Sequence, residues 1–422
     1  MSQNNKAAPQ IMWILTMILF FYQFVARSSF PTVLADQFMQ HFHIDATGMG
    51  VLASCYYWVY TFMQVPSGVI IDRVSTRMIS TICTAVCAGG VLVFIATSNY
   101  VIAGIGQMMI GFGSSFAFLL NLKILSSWFP ANQIPMKCSY TIAVGCMGPV
   151  VGGPLVSLAT VGNSDWMDVM LAFAGIGLIL SALMWMVIKD KNETPEAQKK
   201  GEKAAISMKD TLKLIVTSKQ VWILATFTML IYAPLSALGD LWGVAFIKKA
   251  YDVETMTATL MNNMLYVGMV IGSPAFARLA VAWNSYKKPM ILGMATATVS
   301  LGMIIFGVSR SIEIAFILFF LTGFACGAQL SYPLALVLFP KEIGGSVTGF
   351  INMLAMLSGV ILMPLIGWIV NLSWDGTMEN GMKVYGDWDF RVGLTSVLLF
   401  LLAGICISMM VKDRSPSEER AE

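Results

Sequence analysis

Apolar residues fill this chain in long runs, broken by short polar interruptions. Read window by window, the pattern predicts twelve membrane-spanning helices, near 11–35, 48–71, 78–98, 101–127, 138–160, 167–188, 221–246, 257–282, 289–309, 314–338, 346–371 and 391–411. Runs of about 18 or more apolar residues are long enough to cross a bilayer as helices. Polar residues interrupt the first run, and it lacks a charged leader and a small-residue cleavage site. It therefore reads as a span and not as a signal peptide. One long hydrophilic interior stretch, 189–219, opens with linker composition. It closes with Ile206, Leu212, Leu214 and Ile215 set among lysines, which predicts a short amphipathic helix on the membrane surface. The expected organisation is an N-terminal six-helix bundle at 1–188, the linker at 189–219, and a C-terminal six-helix bundle with a tail at 220–422.

Composition supports this reading. The 422 residues are 57% hydrophobic and 12% charged, with mean hydropathy +0.73, which excludes an ordinary soluble domain. Of 26 Lys and Arg, 19 lie on segments that share a side with the termini. Lys248, Lys249, Arg310, Lys383 and Arg391 lie on the other side, and Arg27 and Lys123 fall within spans. The positive-inside rule then puts both termini in the cytoplasm. The seven cysteines all fall in spans without metal-ligand spacing, so packing is expected of them. His41 and His43, the only histidines, are weak evidence for a metal site. No phosphate-binding loop, nucleophile elbow or zinc-protease motif is present, which argues against an ATP-driven pump or a hydrolase. No enzyme activity, cofactor, metal or nucleic-acid partner is expected.

Between the second and third spans the chain reads Gly68-Val-Ile-Ile-Asp72-Arg73-Val-Ser-Thr-Arg77. The spacing G-x-x-x-D-R-x-x-x-R resembles the loop signature of the major facilitator superfamily, with Ser75 and Thr76 in place of its usual Gly and basic residue. The resemblance implies an all-α membrane fold of two pseudo-symmetric six-helix bundles, and a gating loop at Gly68, Asp72, Arg73 and Arg77 that latches the cytoplasmic side. Internal similarity agrees with two copies. An offset of 210 maps Phe129-Pro130 onto Phe339-Pro340, Tyr22 onto Tyr232 and Arg77 onto Lys287. The second copy of the loop, 272–288, lacks the acidic residue, so its latch is expected to be weaker. Gln107-x-x-x-Gly111-x-Gly113 is similar to the R-x-x-x-G-x-G of span four, with Gln for Arg. Gly148-Pro149-Val-Val-Gly152-Gly153-Pro154 resembles the G-P-x-x-G-G of span five. Such residues allow close helix packing and bends.

Candidate chemistry lies inside the spans. Arg27 sits deep in span one, with Gln23 one turn back on the same face. Charge in the hydrocarbon region is costly and usually faces a watery cavity or a partner, and a guanidinium grips a carboxylate or phosphate well. Asp240 is the one carboxylate placed within a span. With Tyr232 and Ser236 at helical spacing it predicts a polar stripe, and it could take up a proton, bind an amine, or pair with Arg27 or Lys123. Lys123 lines a cavity or snorkels to the interface. Further substrate-binding candidates are Tyr22, Tyr56 and Tyr60 in the first half. Tyr232, Asn263, Tyr266, Gln329 and Asn352 are candidates in the second, with Gln64 and Tyr332 beside them.

Leu122-Lys123, Trp128-Phe129-Pro130, Leu241-Trp242-Gly243-Val244, Gly327-Ala328-Gln329, Gly349-Phe350-Ile351-Asn352-Met353 and Pro364-Leu365-Ile366-Gly367-Trp368 resemble a bacterial branch of the superfamily. That branch includes phagosomal nutrient transporters and is distantly similar to the animal lysosomal dipeptide transporter. The resemblance implies an inner-membrane secondary transporter that imports an amino acid or small peptide with protons, by alternating access and as a monomer. A facilitator or exporter of an organic anion or siderophore is the alternative, followed by a transporter-like receptor.

Overall fold

A computed structural model describes residues 4–130, 133–160, 165–190, 208–379 and 381–413; a few helical side chains, Asp72 among them, lie outside that description. Twelve long helices form the chain among these residues: α1 (Ala8–Val33), α2 (Ala46–Arg73), α3 (Thr76–Ile95), α4 (Tyr100–Trp128), α5 (Met136–Ala159), α6 (Trp166–Val187), α7 (Lys219–Tyr251), α8 (Thr255–Ala282), α9 (Lys287–Ile305), α10 (Ile312–Leu338), α11 (Ile343–Ser373) and α12 (Asp387–Met409). Eleven are both long and apolar enough to cross a membrane. The exception is α2, diluted by Tyr56, Tyr57, Tyr60 and Gln64. A helix runs over Met208–Thr217; among its described side chains Ile215 is buried between exposed neighbours, while Ile206 and the Leu212 side chain lie outside the described residues. A short hairpin, Met378–Glu379 paired with Met382–Lys383, was not expected from the sequence.

Two helices are broken by π turns, α1 at Val25–Ser29 and α7 at Leu235–Trp242. Their first residues differ by the sequence offset of 210 that relates the halves. In α1 a cause is at hand: Pro31 has no N–H, and its ring crowds the carbonyl of Arg27, four residues back. π segments of this kind concentrate at functional sites.

By contacts, residues 1–191, 238–263 and 363–393 form one compact unit, and residues 192–237, 264–362 and 394–422 form a second. In the first, glycines set the helix spacing. A Cβ at Gly111 would stand 2.4 Å from the Tyr56 carbonyl oxygen, and one at Gly113 would stand 2.3 Å from that of Cys83. The Gln107–Gly113 motif is thus a packing device that seats α4 against α2 and α3. Among the described residues, a Cβ at Gly68 would have nothing within 4 Å.

The expected loop at Gly68–Arg77 is mostly helix. α2 continues through Arg73, and only Val74 and Ser75 connect it to α3. The acidic partner of this corner is Asp190. Its carboxylate accepts from Ser75 Oγ and the Thr76 N–H, both at 2.6 Å, and from the Arg77 N–H, while Arg77 Nε donates to the Trp185 carbonyl. The guanidinium also lies 4.3 Å from the Trp185 ring centre. The second unit repeats the arrangement. Asp413 accepts from Ser285 Oγ and from the N–H groups of Tyr286 and Lys287, and Lys287 Nζ donates to the Met409 carbonyl. Asp413 thus serves the second corner from beyond α12 as Asp190 serves the first from beyond α6. A carboxylate at a helix N-terminus satisfies orphan N–H groups and favours the helix dipole. Asp190→Ala and Asp413→Ala are each expected to cost about 1–2 kcal/mol. Thermal unfolding in detergent checks this, and an unchanged melting temperature would mean that water caps these helices as well.

Candidate functional site

The first unit holds a buried ion pair. Arg27, in the π turn of α1, is 5% exposed, and Asp240, in the π turn of α7, is 0% exposed. Arg27 Nε lies 3.7 Å from Asp240 Oδ1, and Tyr57 Oη donates to Asp240 Oδ2. The guanidinium stacks over Phe24 at 4.3 Å from the ring centre, with Tyr57 at 5.8 Å. Beside it Tyr56 Oη donates to Gln23 Oε1 at 3.3 Å, and the Tyr56 and Tyr60 rings stack at 5.7 Å. Arg27, Gln23, Tyr56, Tyr60 and Asp240 therefore come together as a group. Sequence reading missed Tyr57 and Phe24. Tyr57 sits one position off the Tyr56–Tyr60 face, and its signal was the spacing to Thr61 and Gln64.

Two charges this deeply buried persist because each answers the other and aromatic and hydroxyl groups complete their shells.

Other candidates lie elsewhere. Tyr22 turns to α6, stacking on Phe173 at 4.1 Å and donating to its carbonyl. Lys123 Nζ donates to the Ile71 carbonyl in the last turn of α2, which makes it a helix cap and not a companion of Arg27. Asn263 is buried and donates to the Val150 carbonyl at 3.3 Å. In the second unit Tyr332 Oη donates to Asn352 Oδ1 at 3.2 Å, Gln329 is half-buried, and Tyr232 and Tyr266 are buried on α7 and α8. On α7, Ser236 meets Ser358 in that unit at 2.9 Å, whereas Asp240 meets Arg27 and Tyr57 in the first. The side chain of Asp72 lies outside the described residues, and Arg73 is exposed.

On the face opposite the termini, the first unit carries a vestibule of about 700 Å³, lined among others by His43, Lys248, Lys249, Glu379 and Tyr385. Two ion pairs tie its rim: Asp36–Lys248 at 3.0 Å and Asp45–Lys383 at 3.7 Å. Tyr385 Oη accepts from the Ala46 N–H and donates to Asn371 Oδ1. Burial raises the Tyr385 hydroxyl above the usual tyrosine range, which keeps it a neutral donor. Among the described residues no cluster of His, Cys, Asp and Glu could hold a metal.

Apolar helices of this number, two of them broken by π turns around a buried ion pair, mark a polytopic membrane protein. The chain belongs to the Major Facilitator Superfamily, whose family model matches residues 13–364. Among curated proteins it is similar to the probable galactarate/D-glucarate transporter GudP of Escherichia coli, at 23% identity over 92% of this chain and 93% of that one. It is also similar to the membrane sensor protein UhpC of Salmonella typhimurium, at 25% identity over 84% and 82%. A solved structure of a bacterial homologue of the human lysosomal transporter Spinster, inward-facing and unoccupied, superposes with a TM-score of 0.78 at 14% identity, covering 96% of this chain and 97% of that one.

Proposed function

We propose that the chain imports a small carboxylate-bearing solute together with a proton, from the face opposite the termini into the cytoplasm. The observation that carries this reading is the Arg27–Asp240 pair on two π-broken helices. When Asp240 takes a proton it no longer neutralises Arg27, and the guanidinium then accepts the solute's carboxylate. Before and after, the site's charge sums to zero, so proton and monoanion bind together at little electrostatic cost. Gln23, Tyr56, Tyr57 and Tyr60 supply the polar and stacking surface that orients the rest of the solute. The name of GudP points to sugar acids as a solute class, and the charge balance fits those with one carboxylate; amino acids and small peptides share the same carboxylate chemistry. The termini are cytoplasmic by charge distribution, and the working unit is a monomer of two rocking bundles.

The test is uptake into proteoliposomes of radiolabelled aldarates and aldonates, amino acids and dipeptides, with and without an imposed proton gradient. One carboxylate class should accumulate, and a protonophore should abolish accumulation. Binding without uptake would replace this reading with that of a sensor, the role that UhpC's name states for that protein.

A further inference from the structure

A second, smaller cavity of about 10 Å³ lies in the first unit, lined by Ser28, Ser29 and Thr32 of α1, Gly153 of α5, Gly239 of α7, and Thr259, Asn262 and Asn263 of α8, with Val33 and Pro149. Six of its ten lining residues carry a hydroxyl or amide group, and most of those donors are already used. Ser28 Oγ, Thr32 Oγ1 and Asn262 Nδ2 all donate to the Gly239 carbonyl, at 3.1, 3.1 and 3.2 Å. Thr259 Oγ1 donates to the Thr255 carbonyl and Asn263 Nδ2 to that of Val150. Two buried atoms have no hydrogen-bond partner: Ser29 Oγ and Asn262 Oδ1, on residues that are 2% and 1% exposed. The Asn262 amide cannot be turned over to relieve this, because its oxygen would then face the Gly239 oxygen. A glycine faces each orphan. A Cβ at Gly152 would stand 2.7 Å from Ser29 Oγ, and one at Gly243 would stand 2.0 Å from Asn262 Oδ1.

We propose that this cavity is a binding site for one water molecule that accepts from the Ser29 hydroxyl and donates to Asn262 Oδ1. A buried polar group left unsatisfied costs about 1–3 kcal/mol, and a polar cavity of one water's volume is where ordered water is found. The chemistry selects water over a monovalent cation on two counts. One orphan is a hydroxyl that needs an acceptor, which a cation cannot be. The neighbouring Arg27 and Asp240 already cancel, so a cation would add an unbalanced charge to a buried region. The water joins the π turn of α1 and helix α5 to segments 238–242 and 255–263.

A double-mutant cycle tests the site without reference to transport. Ser29→Ala and Asn262→Ala should each lower the melting temperature in detergent by about 2–4 °C. The double variant should fall no further than the worse single, because either change releases the same water. Additive losses would overturn the proposal. So would a melting temperature that rises when choline chloride is replaced by sodium chloride at equal ionic strength, since that would make the guest a cation. If a variant fails to fold, a map of the unaltered protein at about 2 Å decides. Density within about 3 Å of both orphan atoms supports the water, and a dry cavity refutes it.

Discussion

Arg27→Ala is expected to destabilise the protein by about 3–5 kcal/mol, and Asp240→Ala by a similar amount, because each leaves an uncompensated charge in a site with almost no solvent contact. The double replacement Arg27→Met with Asp240→Leu is expected to recover most of that loss, since buried pairs exchange for apolar residues of like volume at little or no cost. Transport should vanish in Arg27→Ala and in the double variant, which both lack the guanidinium. Thermal unfolding in detergent, read beside proteoliposome uptake, separates the two effects. A double variant as unstable as its parents would show that Arg27 and Asp240 do not act as a pair. A double variant that still transports would remove both from the site.

The second large effect concerns coupling. With one proton per monoanion, a pH difference of one unit is worth about 1.4 kcal/mol and supports about tenfold accumulation. Asp240→Asn cannot change its charge. It should bind solute independently of pH, because Arg27 is permanently short of its partner, and uptake should stop at equal concentrations inside and out. Counterflow exchange should persist, which shows that the variant is folded. Tenfold accumulation by Asp240→Asn under the same gradient would place coupling at another group.

Much of this was legible in the sequence, and particular residues show where legibility ended. Apolar runs reveal spans because the bilayer leaves few other ways to bury them, and α2 was found despite its tyrosines. Arg27 stood out because a charge in an apolar run is anomalous. Gly111 and Gly113 were readable as close-packing positions, and the structure shows the carbonyls they admit. Positions that depend on distant chain were not readable. Asp413 caps a helix more than 120 residues back, at Tyr286 and Lys287. Lys123 had two reasonable ends, and only the location of the Ile71 carbonyl decides between them. The partners of the stripe Tyr232, Ser236, Asp240 were not readable either: Ser236 meets Ser358, and Asp240 meets Arg27 and Tyr57. Spacing also did not reveal that α7 widens into a π turn across Leu235–Trp242.

The same widening has a mechanical meaning. A π turn is a dislocation in the hydrogen-bond ladder, a place where one residue of slack is stored between two regular stretches. In α1 and α7 the slack sits at the level of the charged side chains. The stretches on either side can be phased separately, so the carboxylate and guanidinium can be drawn apart by re-registering a few bonds instead of melting a helix. In the proposed mechanism that separation recurs in every cycle, and a stored residue lets it occur with the backbone groups still bonded.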